Sequence, residues 1–276
     1  MAFPAYQTSA TGSALNETSS VVDSPSGVVD GELIIVAVCT VRGSGYASVN
    51  SIPSGWNSLN NGNAFVGTIY SKMYVYWKIA SSEPSTWTWG FDTNTNHVWI
   101  SARFNTMDAT TPLAIANIDM VNNSTSPSWA NTITPSTSDG LMCAFVFASQ
   151  TNTISAFAIT TDNPTWNTRQ TSGGGNLKLL TAERSQTSAT GNSSATLSSG
   201  VPGTPSICSI FSIKRVTEFS NTISETVTAT DTQTSIRGLF QTFTETLTTI
   251  DILTTLKSRL WTKKTKPTTT WTKKQK

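Results

Sequence analysis

Charge and histidine are what this sequence has least of. Charged residues make up 12% of its 276 residues, about half the usual share for soluble proteins. His97 is the only histidine. One histidine and three cysteines cannot build a histidine cluster or a Cys/His zinc site. A Ser-His-Asp triad would have to use His97, and no GxSxG elbow accompanies it. The glycine run "TSGGGN" (171–176) lacks the Lys-Ser/Thr of a phosphate loop and reads as a hairpin loop. The sixteen acids lie mostly in turns and near the C-terminus, with no obvious pair of the glycosidase kind. These absences predict a non-enzymatic protein that needs no cofactor and no metal.

Long apolar runs are missing too. None approaches the roughly 18 residues of a membrane span. The first twenty residues have neither a charged n-region nor an apolar h-region, so they do not read as a signal peptide. Cys39, Cys143 and Cys208 sit inside the apolar runs "IIVAVCTV", "LMCAFVF" and "SICSIF". An odd number of cysteines so placed predicts small buried hydrophobes, not a disulfide framework.

What is present is Thr, Ser and Asn beside 37% apolar residues and nine Trp. That is too apolar for disorder and typical of β-sandwiches that live outside cells. "GELIIVAVCTV" (31–41) is a continuous apolar run of strand length, expected to be buried on both faces. "TIYSKMYVYWKIA" (68–80) is a second strand. "STWTWGFD" (85–92) alternates, with Trp87, Trp89 and Phe91 on one face. "HVWISARF", "LMCAFVFAS", "NLKLLTAERS", "SATLSS" and "SICSIFSIKR" are further strands. Turn clusters such as "RGSG", "NNGN", "DTNTN" and "PGTP" separate them. Many short strands at regular spacing predict an all-β, antiparallel, jelly-roll-like sandwich over residues 1–216. Leu33, Ile35, Val36, Cys39, Phe145, Phe147, Cys208 and Phe211 are its expected core.

A faint repeat runs through this region. "SPSGVVDGELIIVAV" (24–38) resembles "TPSTSDGLMCAFVF" (134–147), and "IPSGWN" (52–57) resembles "DNPTWN" (162–167). Both pairs are about 110 residues apart, which suggests two similar halves. They fit one sandwich or two; the strand-like stretch between them favours one.

Residues 217–276 read differently. "ISETVTATDTQT" (223–234) aligns with "FTETLTTIDILT" (243–254), and "WTKK" occurs at 261 and again at 271. Repeats of this kind suit an extended Thr-rich arm. Leu247, Ile250, Leu253, Leu256 and Leu260 have helical spacing, but the Thr content weighs against a helix. Residues 252–276 hold eight Lys/Arg and no acid, whereas residues 1–251 carry a net −6. Only the tail is basic, so nucleic acid is not a partner for the chain at large. The arm is expected to dock on an acidic neighbour through Lys257, Arg259, Lys263, Lys264, Lys266, Lys273, Lys274 and Lys276. Trp261 and Trp271 would be its buried anchors. Packaged nucleic acid is a further candidate for that tail alone.

The run "DGELIIVAV … IPSGW … MYVYWKIASSEPSTWTWGF … WISARFNTMDATTPL" resembles a β-sandwich domain. That domain occurs in structural proteins of tailed phages and related viruses and in microbial surface proteins. The matching positions are Asp30, Gly31, Pro53, Ser54, Gly55, Trp56, Tyr76, Trp77, Lys78, Glu83 and Pro84, and the likeness spans about residues 20–216. It implies a sandwich and carries over no catalytic or ligand residue. The Thr-rich arm is a departure from it.

Two functions follow as expectations. One is a virion structural protein, a capsid-surface, fibre or tail component that forms homo-oligomers or binds other virion proteins through its arm. The lack of an export signal favours it. The other is an extracellular or cell-surface adhesin or carbohydrate-binding module, for which Trp87, Trp89 and Trp129 are candidate glycan contacts. Core packing between the sheets competes with that role for Trp87 and Trp89.

Overall fold

A computed structural model describes residues 3–124, 128–129, 140–149, 157–161, 166–173, 177–185, 195–199 and 204–215, and, further on, 223–226, 232–235, 241–244 and 250–253. The chain divides into two compact units, Met1–Thr217 and Glu218–Lys276. Every regular element among the described residues is a β-strand, and every pairing is antiparallel.

Six strands build the first sheet: β1 (Ala5–Asp23), β2 (Leu33–Arg42), β3 (Val49–Ser51), β4 (Asn57–Val66), β5 (Ile69–Ile79) and β6 (Thr86–Asn105). Their order is β1-β6-β2-β5-β4, with β3 on β6. The second half of the chain supplies β7 (Leu113–Ser124), β8 (Ser128–Trp129), β9 (Leu141–Ser149), β10 (Phe157–Thr161), β11 (Asn167–Ser172), β12 (Leu177–Ser185), β13 (Ala195–Ser199) and β14 (Thr204–Ile213). Five of these form a sheet ordered β11-β12-β9-β14-β7, and β8, β13 and β10 form a third, small sheet.

The repeat thus has a structural form. Each half contributes one main sheet, and the two sheets have the same order: β7, β14, β9, β12 and β11 take the places of β1, β6, β2, β5 and β4. Leu33 lies between Ile79 and Phe104, and Leu141 lies between Ser185 and Ile213. The small sheet corresponds to the first stretch of β6 with β3 and the end of β1. The halves join at one antiparallel bridge, Met107 to Arg215, beside which the Asp108 amide donates to the Lys214 carbonyl at 3.0 Å. One sandwich results, not two. No strand of one half enters the main sheet of the other, so the likeness to a jelly roll is confined to the antiparallel two-sheet architecture.

Strand alternation sorts the core. Leu33, Ile35, Ala37 and Cys39 of β2 point inward to meet Cys143, Phe145 and Phe147 of β9 and Phe211 of β14. Ile34, Val36 and Val38 point outward, as Met142, Ala144 and Val146 do on the opposite sheet, and both outer faces are covered. All eight expected core residues are buried at 0% exposure, but Val36 and Cys208 belong to the outer clusters. Their strands are buried on both faces, which is why their apolar runs are continuous rather than alternating. Hydroxyl and amide pairs also link the sheets: Ser71 and Ser149 are 2.7 Å apart, and Asn60 donates to Ser209 at 2.9 Å.

"STWTWGFD" and "HVWISARF" are one strand, not two. The cluster "DTNTN" does not end β6, because β1 follows it across the bend: Ser19–Asp23 pair with Thr86–Gly90 and Ala5–Ala14 with His97–Asn105. Register shifts between Ala14 and Ser19 absorb the change of direction. The first stretch of β6 thereby covers the outer face of its own sheet.

The C-terminal unit contains β15 (Ile223–Thr226), β16 (Thr232–Ser235), β17 (Gln241–Thr244) and β18 (Ile250–Leu253). β15 pairs with β18 and β16 with β17 in one common register. The two copies of the short repeat therefore face each other as the arms of a hairpin. Ile250–Leu253 is a strand; Leu247, Leu256 and Leu260, the other positions with helical spacing, lie outside the described residues.

Candidate functional site

The residues that carry the sequence resemblance meet on the outer face of the first sheet. Trp56 packs edge-on against Trp87 at 5.1 Å and against Trp89 at 5.2 Å. The Lys78 ammonium lies 5.7 Å from the centre of the Trp56 ring and 2.8 Å from Glu83 Oε1. Glu83 also accepts from Trp87 Nε1 at 3.2 Å and from the Ser81 amide at 2.9 Å. Asp30 accepts the Ser82 amide at 2.7 Å, which ties the turn before β2 to the turn before β6. Arg103 donates to both oxygens of Glu32 at 2.8 Å and to Thr8 at 2.9 Å. These carboxylates are engaged in holding turns and strands, so the pattern is one that builds the fold. The other half echoes it: the Arg184 guanidinium lies 5.4 Å over the buried Trp166.

This packing corrects the glycan reading of Trp87 and Trp89. They are 5% and 0% exposed. Their indole faces are spent on Trp56 and Tyr76, and no sugar ring can reach them. Trp129 is placed only by its backbone, in β8 opposite Ala195. All ten arm residues, from Lys257 to Lys276, lie outside the described residues.

The lone histidine is 1% exposed, with its ring 5.1 Å from that of Phe91. Burial lowers its pKa, against weaker upward pulls from a hydrogen bond with Thr95 and the charge of Glu17. It is a neutral core residue. The three cysteines are buried and form no disulfide, and burial pushes the thiols of Cys39 and Cys143 up. Burial does the same to the phenol of Tyr76, with help from Tyr74. Among the described residues no three His, Cys, Asp or Glu cluster as a metal site would require.

One end of the first sheet differs from this closed interior. There the tip of the β4–β5 hairpin, the loop after β2 and the bends of β1 and β6 come level. Phe65 is half exposed and stacks on Tyr70 at 6.0 Å, with 16° between the planes. Tyr46 meets Tyr70 edge-on at 5.2 Å. Lys72 sits 5.9 Å from the Tyr46 ring and donates to Ser48 at 3.0 Å. Arg42, opposite Tyr70 in the ladder, lines a neighbouring cleft of about 220 Å³ with Asn16, Ser44, Asn94, Thr95 and Asn96. Sequence reasoning passed over this group. Tyr70 reads as an ordinary strand aromatic, and the one available signal is "AFVGTIY", a hairpin tip with an aromatic on each side.

Comparison with protein families, curated proteins and solved structures found no match. Among the described residues no helix is long and apolar enough to cross a membrane.

Proposed function

We propose that this chain is a non-enzymatic structural component of a virion, in which the sandwich is a rigid outward-facing body and the C-terminal unit binds a neighbour. The observation that carries the proposal is the segregation of the chain. A unit distinct from the sandwich pairs its own repeat in one hairpin register and leads into 25 residues that hold eight positive charges and no negative one. A hairpin exposes two strand edges that can add to a partner's sheet, where main-chain hydrogen bonds give affinity and side chains give register. The opposite charge of residues 1–251 makes another copy of the chain a suitable partner, and the basic end would speed encounter and fix orientation. The placement on a virion rests on the sequence resemblance of residues 20–216, and the comparisons add nothing to it.

Deleting residues 252–276 tests the proposal. The sandwich is expected to fold unchanged while oligomerisation or incorporation into particles fails. Intact assemblies are expected to loosen as salt rises, because screening shortens the reach of the tail's charge. Normal assembly of the truncated chain at every salt concentration would refute it.

A further inference from the structure

We infer that the end of the first sheet around Arg42, Tyr46, Phe65 and Tyr70 is a binding site for an anionic sugar, a hexopyranose bearing a carboxylate or a sulfate. The inference concerns the sandwich alone and stands whether or not the C-terminal unit drives assembly.

The ground for it is a contrast within one face. Elsewhere on the outer surface of this sheet the aromatic rings are shut away, as Trp89, Trp87 and Phe91 are at 0%, 5% and 4% exposure. At this end Phe65 keeps half its surface open while Tyr70 stacks on its ring from behind and is itself met edge-on by Tyr46. A backed but open ring has the form that the C–H face of a pyranose needs for stacking. The adjacent cleft supplies the complementary half. Beside Val41 and Gly43 its lining is carboxamides, hydroxyls and one guanidinium, and carboxamides donate and accept at once, as sugar hydroxyls do. At about 220 Å³ it is smaller than the roughly 300–1,000 Å³ of pockets for drug-sized ligands. It suits the charged substituent and hydroxyls of a sugar whose ring lies on Phe65.

Charge selects the kind of sugar. Arg42 lines the cleft and Lys72 flanks the aromatic group, and among the described residues no carboxylate forms an ion pair with either. Asp92, the acid beside Lys72's partner Ser48, is engaged as acceptor of the Ser48 amide at 2.9 Å. A planar guanidinium facing a carboxylate or sulfate gives paired, charge-assisted hydrogen bonds. A sugar acid stacked on Phe65 with its charged group toward Arg42 satisfies both halves of the site. The backbone is already shaped there: Asn16 holds φ at 58° with its amide on Asn96 Oδ1 at 3.0 Å.

The test uses the full chain and short probes, because the basic tail will bind long polyanions by itself. Saturation-transfer NMR would be recorded with trigalacturonate, a disulfated disaccharide and neutral galactotriose, on the native chain and on one with the eight tail Lys/Arg changed to Gln. Expected is transfer to the ring protons of one or both charged probes, retained with the neutralised tail and weak for galactotriose. The carboxylated and sulfated arms tell the two sources of charge apart. Phe65→Ala is expected to weaken binding about tenfold. Arg42→Gln is expected to weaken the charged probe and leave galactotriose unchanged. Both variants must keep the native melting temperature, and Phe65→Tyr, which keeps the ring, must keep binding. Three results would overturn the inference: no transfer to either charged probe, binding lost with the neutralised tail, or Phe65→Ala and Arg42→Gln that alter self-association but leave the sugars bound.

Discussion

Trp89→Ala separates the two roles a tryptophan can have in this chain. Trp89 is fully buried and contacts Trp56 at 5.2 Å, Tyr76 at 6.0 Å and Trp87 at 6.5 Å between ring centres. Truncation removes its transfer free energy and leaves a cavity against rings that cannot collapse into it, a loss of about 3–5 kcal/mol. For a unit of this size each kcal/mol moves the melting temperature by about 2–4 °C, so a fall of about 10 °C is expected. Trp89 Nε1 finds no acceptor among the described residues. Trp89→Phe therefore gives up volume but no hydrogen bond, and should cost well under half as much. Near-ultraviolet circular dichroism on heating reads both variants. A fall below 2 °C for Trp89→Ala, or a Phe variant as damaging as Ala, would refute the core assignment and reopen a surface role.

Arg103→Ala leaves the mostly buried Glu32 carboxylate without the Nη1 group that donates to both its oxygens and is expected to cost about 3 kcal/mol, read by urea unfolding, with part recovered in the Glu32→Gln double variant. Gly12→Ala would drive a Cβ into the Trp99 ring, an overpacking expected to cost about 1–3 kcal/mol, which a melting curve will show. His97 is held neutral by burial, so below its ordinary pKa the unfolded chain takes up a proton that the fold resists. Stability should be fully present above about pH 6.5 and fall as the pH drops beneath it; His97→Phe should flatten that part of the profile. Asp108, whose pKa is lowered by hydrogen bonds from the Thr111 and Thr110 amides, stabilises the turn between the halves above the ordinary aspartate range. That contribution is lost as pH falls through it, and Asp108→Asn should remove the dependence.

Much of the architecture was determined by the sequence alone, because it is encoded locally. Continuous apolar runs such as Leu33–Val41 and Leu141–Ala148 announce strands buried on both faces, and turn clusters mark most of their ends. The core residues and the buried cysteines, which form no disulfide, follow from the same runs. The repeat of Asp-Gly and Trp marked two similar halves, since a duplicated motif leaves its signature wherever its copies go. Only the tertiary structure decided what the copies do. One sheet per half, joined at Met107 and Arg215, depends on long-range pairing that no window of sequence contains. The same holds for the bend of β6, which "DTNTN" presents as a turn and which β1 carries through as a single ladder. Trp87 and Trp89 alternate as a surface ribbon would, yet they are core, because the strand that bears them folds back over its own sheet. Phe65 and Tyr70 look like interior residues, yet they lie at an open end, because the hairpin tip projects beyond the strands that could cover it. Alternation tells which residues share a face; what lies against that face is set by chain segments far away in sequence.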